Sequence, residues 1–270
     1  MGGGNCDGLR LIGEDNSEND QKASANLKES QVRPKKLIGI LGGMGPAATV
    51  DFMSKIVSAT PVAIDQDHIP LIVYDIPQIP DRSSAIENGQ DDPFLPMLSG
   101  VRFLDAAGVE FIAIPCNTAH YWYDRLDRGA RATILHICQA VLDELRAMPT
   151  RPRSIAIMAT RGTISADIYG TELLNAVDRV VIPDEKSQRL IDHSIISVKR
   201  GAMAPAREAA VAAARLLVQH GAECLLLACT ELPVAFSGIE IGTMTLDATD
   251  ALARACIKVS LGEYQIVTAG

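Results

Sequence analysis

Residues 114–120, IPCNTAH, and residues 227–233, LACTELP, decide the fold of this chain. In each, an apolar run ends in a cysteine followed at once by small polar residues, as when a buried parallel strand delivers a side chain to the start of a helix. Their surroundings match as well. Gly108 and Glu110 precede Cys116 at the same spacings as Gly221 and Glu223 precede Cys229. A helix-like segment leads into each glycine, over residues 101–107 and 212–220, so both regions read as helix, glycine stop, strand, cysteine.

A second pair lies upstream. KLIGILGGMG (36–45) and SIAIMATRGT (154–163) each give four mainly apolar residues and then a turn containing glycine or threonine. A duplicated half accounts for this: an α/β fold of two similar parallel-sheet subdomains related by pseudo-twofold symmetry, with Cys116 and Cys229 face to face. Chance likeness between α/β repeats is the alternative, because helix–strand alternation is common. The expected boundaries are a disordered tail over 1–36, a first α/β domain over 37–148, a PTRP linker at 149–152 and a second α/β domain over 153–246. A final helix within 247–262 is expected to pack back on the first domain.

Composition narrows the function. The chain has 270 residues, 47% of them hydrophobic, enough for a sizeable core. A net charge of −8 and 4% aromatic residues disfavour nucleic acid, which needs cationic contacts to phosphates and rings to stack on bases. A small anionic substrate is still allowed, since a few placed cations set the local field. No apolar run approaches the roughly 18 residues of a membrane span. Six cysteines are too few for a disulfide framework, and a reduced, cytoplasmic setting fits them better. Cys138, Cys224 and Cys256 fall in apolar patterns as small core residues, Cys6 lies in the tail, and two cysteines remain at strand ends.

The first strand, residues 37–41, runs into the turn GGMGP (42–46) and a helix over 47–59 with Pro46 at its first position. The turn is neither GxGxxG nor a Walker A loop. Its glycines either admit a carboxylate to the helix N–H groups or simply make a tight turn. A strand over 70–74 leads to the loop IPQIPDR (76–82), stiffened by its prolines and ending in Arg82, whose planar fork suits a carboxylate. The loop itself has no helical option, and the next helix is expected around 93–107. In the second half, helices are expected after Thr163, over 184–199 and over 205–220.

A thiol becomes a good base on losing a proton near pH 8.5, a value that falls at a helix start. One thiolate and one thiol facing each other across a cleft remove a proton from one face of a carbon and return one to the other, inverting its configuration. The carbanion then needs hydrogen-bond donors, for which the hydroxyls of Thr118, Thr160, Thr163 and Thr230 and the amide of Asn117 are suited. Glu231 either assists Cys229 or is an exposed first-turn glutamate. A rival makes Cys116 a nucleophile with His120, one helical turn on, as its base. His68, His120, His136, His193 and His220 form no ligand pattern, so no metal is expected. No lysine stands out for pyridoxal phosphate, and no cofactor is expected. Lys199, at a helix end, supplies positive charge.

The motifs GGMGPAAT (42–49), PQIPDR (77–82), PCNTAH (115–120), GAEC (221–224) and CTELP (229–233) resemble the aspartate/glutamate racemase family, and within it the aspartate racemases, over residues 35–261. The resemblance implies a cofactor-independent, homodimeric enzyme that interconverts L- and D-aspartate, with glutamate a further candidate, in a cleft between two α/β domains. It marks Cys116 and Cys229 as catalytic thiols and Arg82 and Lys199 as partners of the substrate carboxylates. It sets Asn117, Thr118, Thr160 and Thr230 around the amino acid and Met44 near its turn. Arg161 departs from the pattern, since similar aspartate racemases often carry a second threonine there, and an extra cation at the cleft edge would widen acceptance towards glutamate. A related two-cysteine isomerase, a broad-specificity amino-acid racemase and an inactive amino-acid-binding relative are the alternatives.

Overall fold

The computed structural model describes residues 35–89 and 91–263. The tail expected over 1–36, Cys6 included, lies outside them apart from its last two residues. The Lys36 N–H donates to the Ser260 carbonyl (3.0 Å) and the Ser260 hydroxyl to the Lys36 carbonyl (2.7 Å), so the chain is already tied to the fold there.

Two four-stranded parallel sheets form the protein, consistent with two similar subdomains. β1 (Ile38–Gly42), β2 (Leu71–Asp75), β3 (Phe111–Ala113) and β4 (Thr133–Leu135) lie in the order β2-β1-β3-β4, with Ile38 opposite Leu71 on one side and Phe111 on the other. β5 (Ser154–Ala159), β6 (Arg179–Val181), β7 (Cys224–Ala228) and β8 (Met244–Asp247) repeat it as β6-β5-β7-β8, with Ile155 opposite Val180 and Cys224. β1, β5 and β7 are buried at every residue, which explains their unbroken apolar runs: a parallel sheet is covered on both faces.

Side chains alternate between the faces of a strand. Ile155, Ile157 and Ala159 enter a core shared with Ile38, Ile40 and Phe111 of the other sheet, whereas Ala156 and Met158 face a separate core. The shared core is closed by α1 (Pro46–Ala59), α5 (Ile137–Ala147) and α11 (Ala248–Ser260), the last packed on both of the others. Leu252, Ala253 and Cys256 of α11 are fully buried, and Asp247 caps the helix by accepting the Thr249 and Asp250 N–H groups. Cys138, Cys224 and Cys256 lie in this core, where burial above all raises their thiols, Cys138 and Cys224 each to about 12.

The outer face of the first sheet is covered by α3 (Phe94–Ala106), whose Met97, Val101 and Leu104 are buried there. The outer face of the second meets α8 (Glu185–Lys199) and α9 (Met203–Gln219). Ala206, Ala210, Ala213 and Ala214 of α9 are fully buried, and small side chains there allow close helix packing. No helix among the described residues is long and apolar enough to cross a membrane.

Three local expectations change. The loop expected to end at Arg82 instead ends at Asp81, which caps α2 (Arg82–Asn88) by accepting the Ser84 N–H at 2.8 Å. The proline constraint stops at Pro80, and a capping aspartate followed by helix-permissive residues is sufficient to begin a short helix. The helix expected after Thr163 begins earlier, as α6 (Arg161–Ser165), because Thr160 caps it through the Thr163 N–H; α7 (Gly170–Leu174) follows separately. The segment after Cys116 forms a 3-10 helix, Thr118–Trp122, before α4 (Tyr123–Asp127).

In each sheet the chain lays its first strand inside, moves to one side, then crosses to the other. The ends of β1 and β3, and of β5 and β7, are therefore topological switch points, where α/β sheets open a crevice beyond their strand ends. Met44 and Cys116 follow one pair, and Thr160 and Cys229 the other.

Candidate active site

The crevices open into one cleft of about 320 Å³, its open mouth included. Cys116 and Cys229 both line it, and each is 6% exposed. Met44, Arg82, Asn117, Thr118, Thr160, Lys199, Thr230 and Glu231 also line it, whereas Thr163, His120 and Arg161 do not. Asp81 and Ser83, at the start of the unexpected helix α2, line it too.

Cys116 stands just beyond β3, its N–H donating to the Ile114 carbonyl at 2.7 Å. His120 is fastened behind it. Its Nε2 accepts the Ile137 N–H (3.1 Å), so Nδ1 carries the proton and donates to the Cys116 carbonyl (3.0 Å). Burial, and next to it His136, pushes the imidazole down to about 3. Both nitrogens are committed to the backbone and the ring holds a proton only weakly, so His120 does not serve as the base of a Cys116 nucleophile. It holds the backbone that carries the thiol.

Cys229 lies between β7 and α10 (Glu231–Phe236). Its Sγ donates to Glu231 Oε2 at 3.0 Å, and the Thr230 hydroxyl donates to the same oxygen at 2.9 Å. Glu231 is 7% exposed, a buried group and not a solvated first-turn glutamate. The expectation that a helix start lowers the thiol is reversed here. Burial first, then the Glu231 charge and hydrogen bond, raise Cys229 well above the ordinary thiol value, and Lys199 opposes them only in part.

Thr118, Thr160 and Thr163 place three hydroxyls in a triangle with edges of 3.0, 2.8 and 3.0 Å, and Thr163 stands behind the other two. A closed ring of three hydroxyls uses all three protons, so Thr118 presents a lone pair to the cleft instead of the expected donor, while Thr160, which also accepts the Thr163 N–H (3.2 Å), has both lone pairs filled. The Thr230 proton goes to Glu231. Protons for a ligand come instead from Arg82, Lys199 and Asn117. Arg82 donates from Nη1 to the Ile79 and Pro80 carbonyls (3.1 and 2.9 Å) and from Nη2 to Met44 (3.4 Å), leaving Nε buried without a partner. Lys199, the last residue of α8, has no ion-pair partner among the described residues. The Asn117 amide oxygen accepts from the Tyr169 hydroxyl, and its buried nitrogen has no partner. Partial burial raises the Asp81 carboxyl, but the Ser84 hydrogen bonds and the charges of Arg82 and Lys199 outweigh it and hold the group below the usual range.

One sequence reading fails at the cleft's margin. Arg161 is no free cation: its Nη atoms grip Glu185 (3.0 Å each) and its Nε meets Asp192 (2.8 Å), so acids of α8 occupy the whole fork. The glycine turn is filled at two positions and open at a third. A side chain on Gly42 would strike Thr49 and Asp75, and one on Gly43, at φ +92°, would strike the Ile76 backbone, whereas Gly45, at the start of α1, faces open space. Thr49 accepts the Gly43 N–H (3.0 Å) and donates to Asp75 (2.6 Å). Sequence reasoning missed Asp81, Ser83 and Tyr169. The signal for the first was a helix-capping residue after a proline loop; nothing local marked the last.

Residues 41–256 match the Asp/Glu/hydantoin racemase family. Among solved structures, the aspartate racemase of Picrophilus torridus superposes with a TM-score of 0.75 at 33% identity, over 83% of this chain and 94% of that one. An aspartate racemase homologue from Pyrococcus horikoshii OT3 superposes at 0.67 with 23% identity, over 84% and 99%, a likeness of fold. The broad-specificity amino-acid racemase RacX of Bacillus subtilis (strain 168) is 26% identical over 233 residues, 85% of this chain and all of the relative. A match over most of the chain, on a fold that turns two cysteines into one cleft, makes this protein an isomerase of the Asp/Glu/hydantoin racemase family.

Proposed function

We propose that the protein interconverts L- and D-aspartate by two-base proton transfer between Cys116 and Cys229, without a cofactor. The observation that carries this reading is that the two thiols line one cleft from opposite strand-end switch points. In one direction the Cys116 thiolate takes the α-proton, the electron pair moves into the α-carboxylate, and the Cys229 S–H delivers its proton to the opposite face. In the other direction the roles exchange, and Glu231, already hydrogen-bonded to Cys229, receives its proton beforehand. Burial and Glu231, which hold the proton on Cys229, suit that thiol to the donor role.

Two cations in the cleft, Arg82 and Lys199, support a substrate with two carboxylates, and the partnerless Arg82 Nε supports a charge-assisted bond to one of them. The free Thr118 lone pair suits the α-ammonium group. The likeness to RacX favours a second reading, a broad-specificity amino-acid racemase, in which neutral amino acids are also accepted. A homodimer in the cytoplasm completes the proposal. The uncharged outer side of α1, where Val50 and Val57 are exposed, supports a second copy docking there, and light scattering tests it.

The deciding experiment is a cofactor-free screen of L-amino acids by chiral chromatography, with α-deuterium wash-in from heavy water, on the wild type and on Cys116→Ala and Cys229→Ala. Each variant is expected to lose racemisation by about 10³-fold or more. Loss in only one would overturn the two-base mechanism; equal rates on neutral and acidic amino acids would replace aspartate specificity with the broader reading.

A further inference from the structure

We propose that Tyr169 is a positioning residue of the racemase site, one whose hydroxyl fixes which end of the Asn117 amide faces the bound amino acid. The inference rests on the racemase reading above. Tyr169 comes from the second half of the chain, between α6 and α7, 52 positions from Asn117. It is 1% exposed and does not line the cleft. Asn117 does line it, next to the Cys116 thiol.

An asparagine amide carries an acceptor at one end and donors at the other, of nearly equal shape. Turning it over exchanges a donor for an acceptor at no steric cost, so packing alone does not set its direction. Facing a carboxylate, the two ends have opposite effects: the nitrogen attracts it and the oxygen repels it. In this protein the Tyr169 hydroxyl donates to Asn117 Oδ1, which commits the oxygen to the side away from the cleft. The nitrogen is left buried and without a partner, in a structure where the nearby hydroxyls are already bonded. That leftover donor is the group a bound carboxylate, or the more negative carbanion formed from it, would satisfy. Burial holds the phenol well above its ordinary value, so Tyr169 remains a donor at every working pH.

The test is a double-mutant cycle on kcat and KM for L- and D-aspartate, using Tyr169→Phe, Asn117→Ala and both together, with Asn117→Asp as a fourth variant and thermal midpoints measured throughout. Removing the Asn117 donor is expected to cost about 10²-fold in kcat/KM. Tyr169→Phe is expected to cost about tenfold, the order for a contact group freed to misalign. In the Asn117→Ala background it should cost nothing further, because the amide it orients is gone. Asn117→Asp keeps the acceptor for Tyr169, and with it the fold, but loses the donor, so it should fall with Asn117→Ala even if Tyr169→Phe proves too unstable to assay. An equal loss from Tyr169→Phe in both backgrounds, an unimpaired Tyr169→Phe, or an active Asn117→Asp would each overturn the proposal while leaving an active wild type and the racemase reading intact. A wild type that racemises no amino acid would overturn both.

Discussion

Gly162→Ala should damage the site without touching the substrate. α2 carries Asp81, Arg82 and Ser83 into the cleft and rests on α6, where Gly162 faces Ser83. A Cβ at Gly162 would lie 2.7 Å from Ser83 Cα and 2.8 Å from its Oγ. Ordinary van der Waals contact begins at 3.4 Å, so α2 must retreat by about 0.7 Å, and a backbone atom cannot swing aside as a side-chain tip would. Arg82, adjacent in the chain, retreats with it. A misplacement near 1 Å costs up to about 10²-fold in rate, so a loss of about ten- to thirtyfold in kcat/KM is expected, mostly in KM, since Arg82 is assigned to substrate binding. Alanine is favoured over glycine inside a helix by about 1 kcal/mol, so the thermal midpoint should fall little. The assay is initial-rate chiral chromatography over a range of aspartate concentrations. An alanine variant with wild-type kcat and KM would refute the view that the α2–α6 contact sets the position of Arg82.

Glu231→Gln removes a charge that raises Cys229, so the thiol should ionise at lower pH, read as a downward shift of the pH at which iodoacetamide alkylates it; an unmoved profile would show that burial alone holds the proton. Arg161→Ala should leave the ratio of aspartate to glutamate rates unchanged, because its fork is occupied by Glu185 and Asp192, and a changed ratio would mean that it reaches the substrate. Leu252→Ala, in the helix that closes the shared core, should cost about 2–5 kcal/mol in urea unfolding. His120 is held at about 3 against 6.5 in the unfolded chain, so the unfolded state binds the extra proton between those values. Stability from this group is therefore complete above about pH 6.5 and lost as pH falls towards 3, by up to about 1.4 kcal/mol per unit. His120→Gln should flatten that part of the stability–pH curve.

The repeated strands were legible because a strand buried on both faces needs an unbroken apolar run, and that need is written locally. The same holds for the helix expected over 184–199, for the buried Cys138, Cys224 and Cys256, and for the two cysteines at strand ends. Charge and hydrogen-bond partners obey no such local rule. Arg161 read as a free cation until α8 brought two carboxylates to it, and Glu231 was undecided between assisting Cys229 and facing solvent until the fold buried it against Cys229. The glycine turn was undecided between a carboxylate site and a tight turn because the atoms that fill it at Gly42 and Gly43 belong to Thr49, Asp75 and Ile76. Sequence by itself determined the strands and the longer helices, and that two thiols end matching strands, because backbone preference and burial act over a few residues. Only the tertiary structure decided which hydroxyls keep a proton for a ligand, which cations stay uncompensated, and that Tyr169 meets Asn117, because each depends on groups brought together from distant parts of the chain.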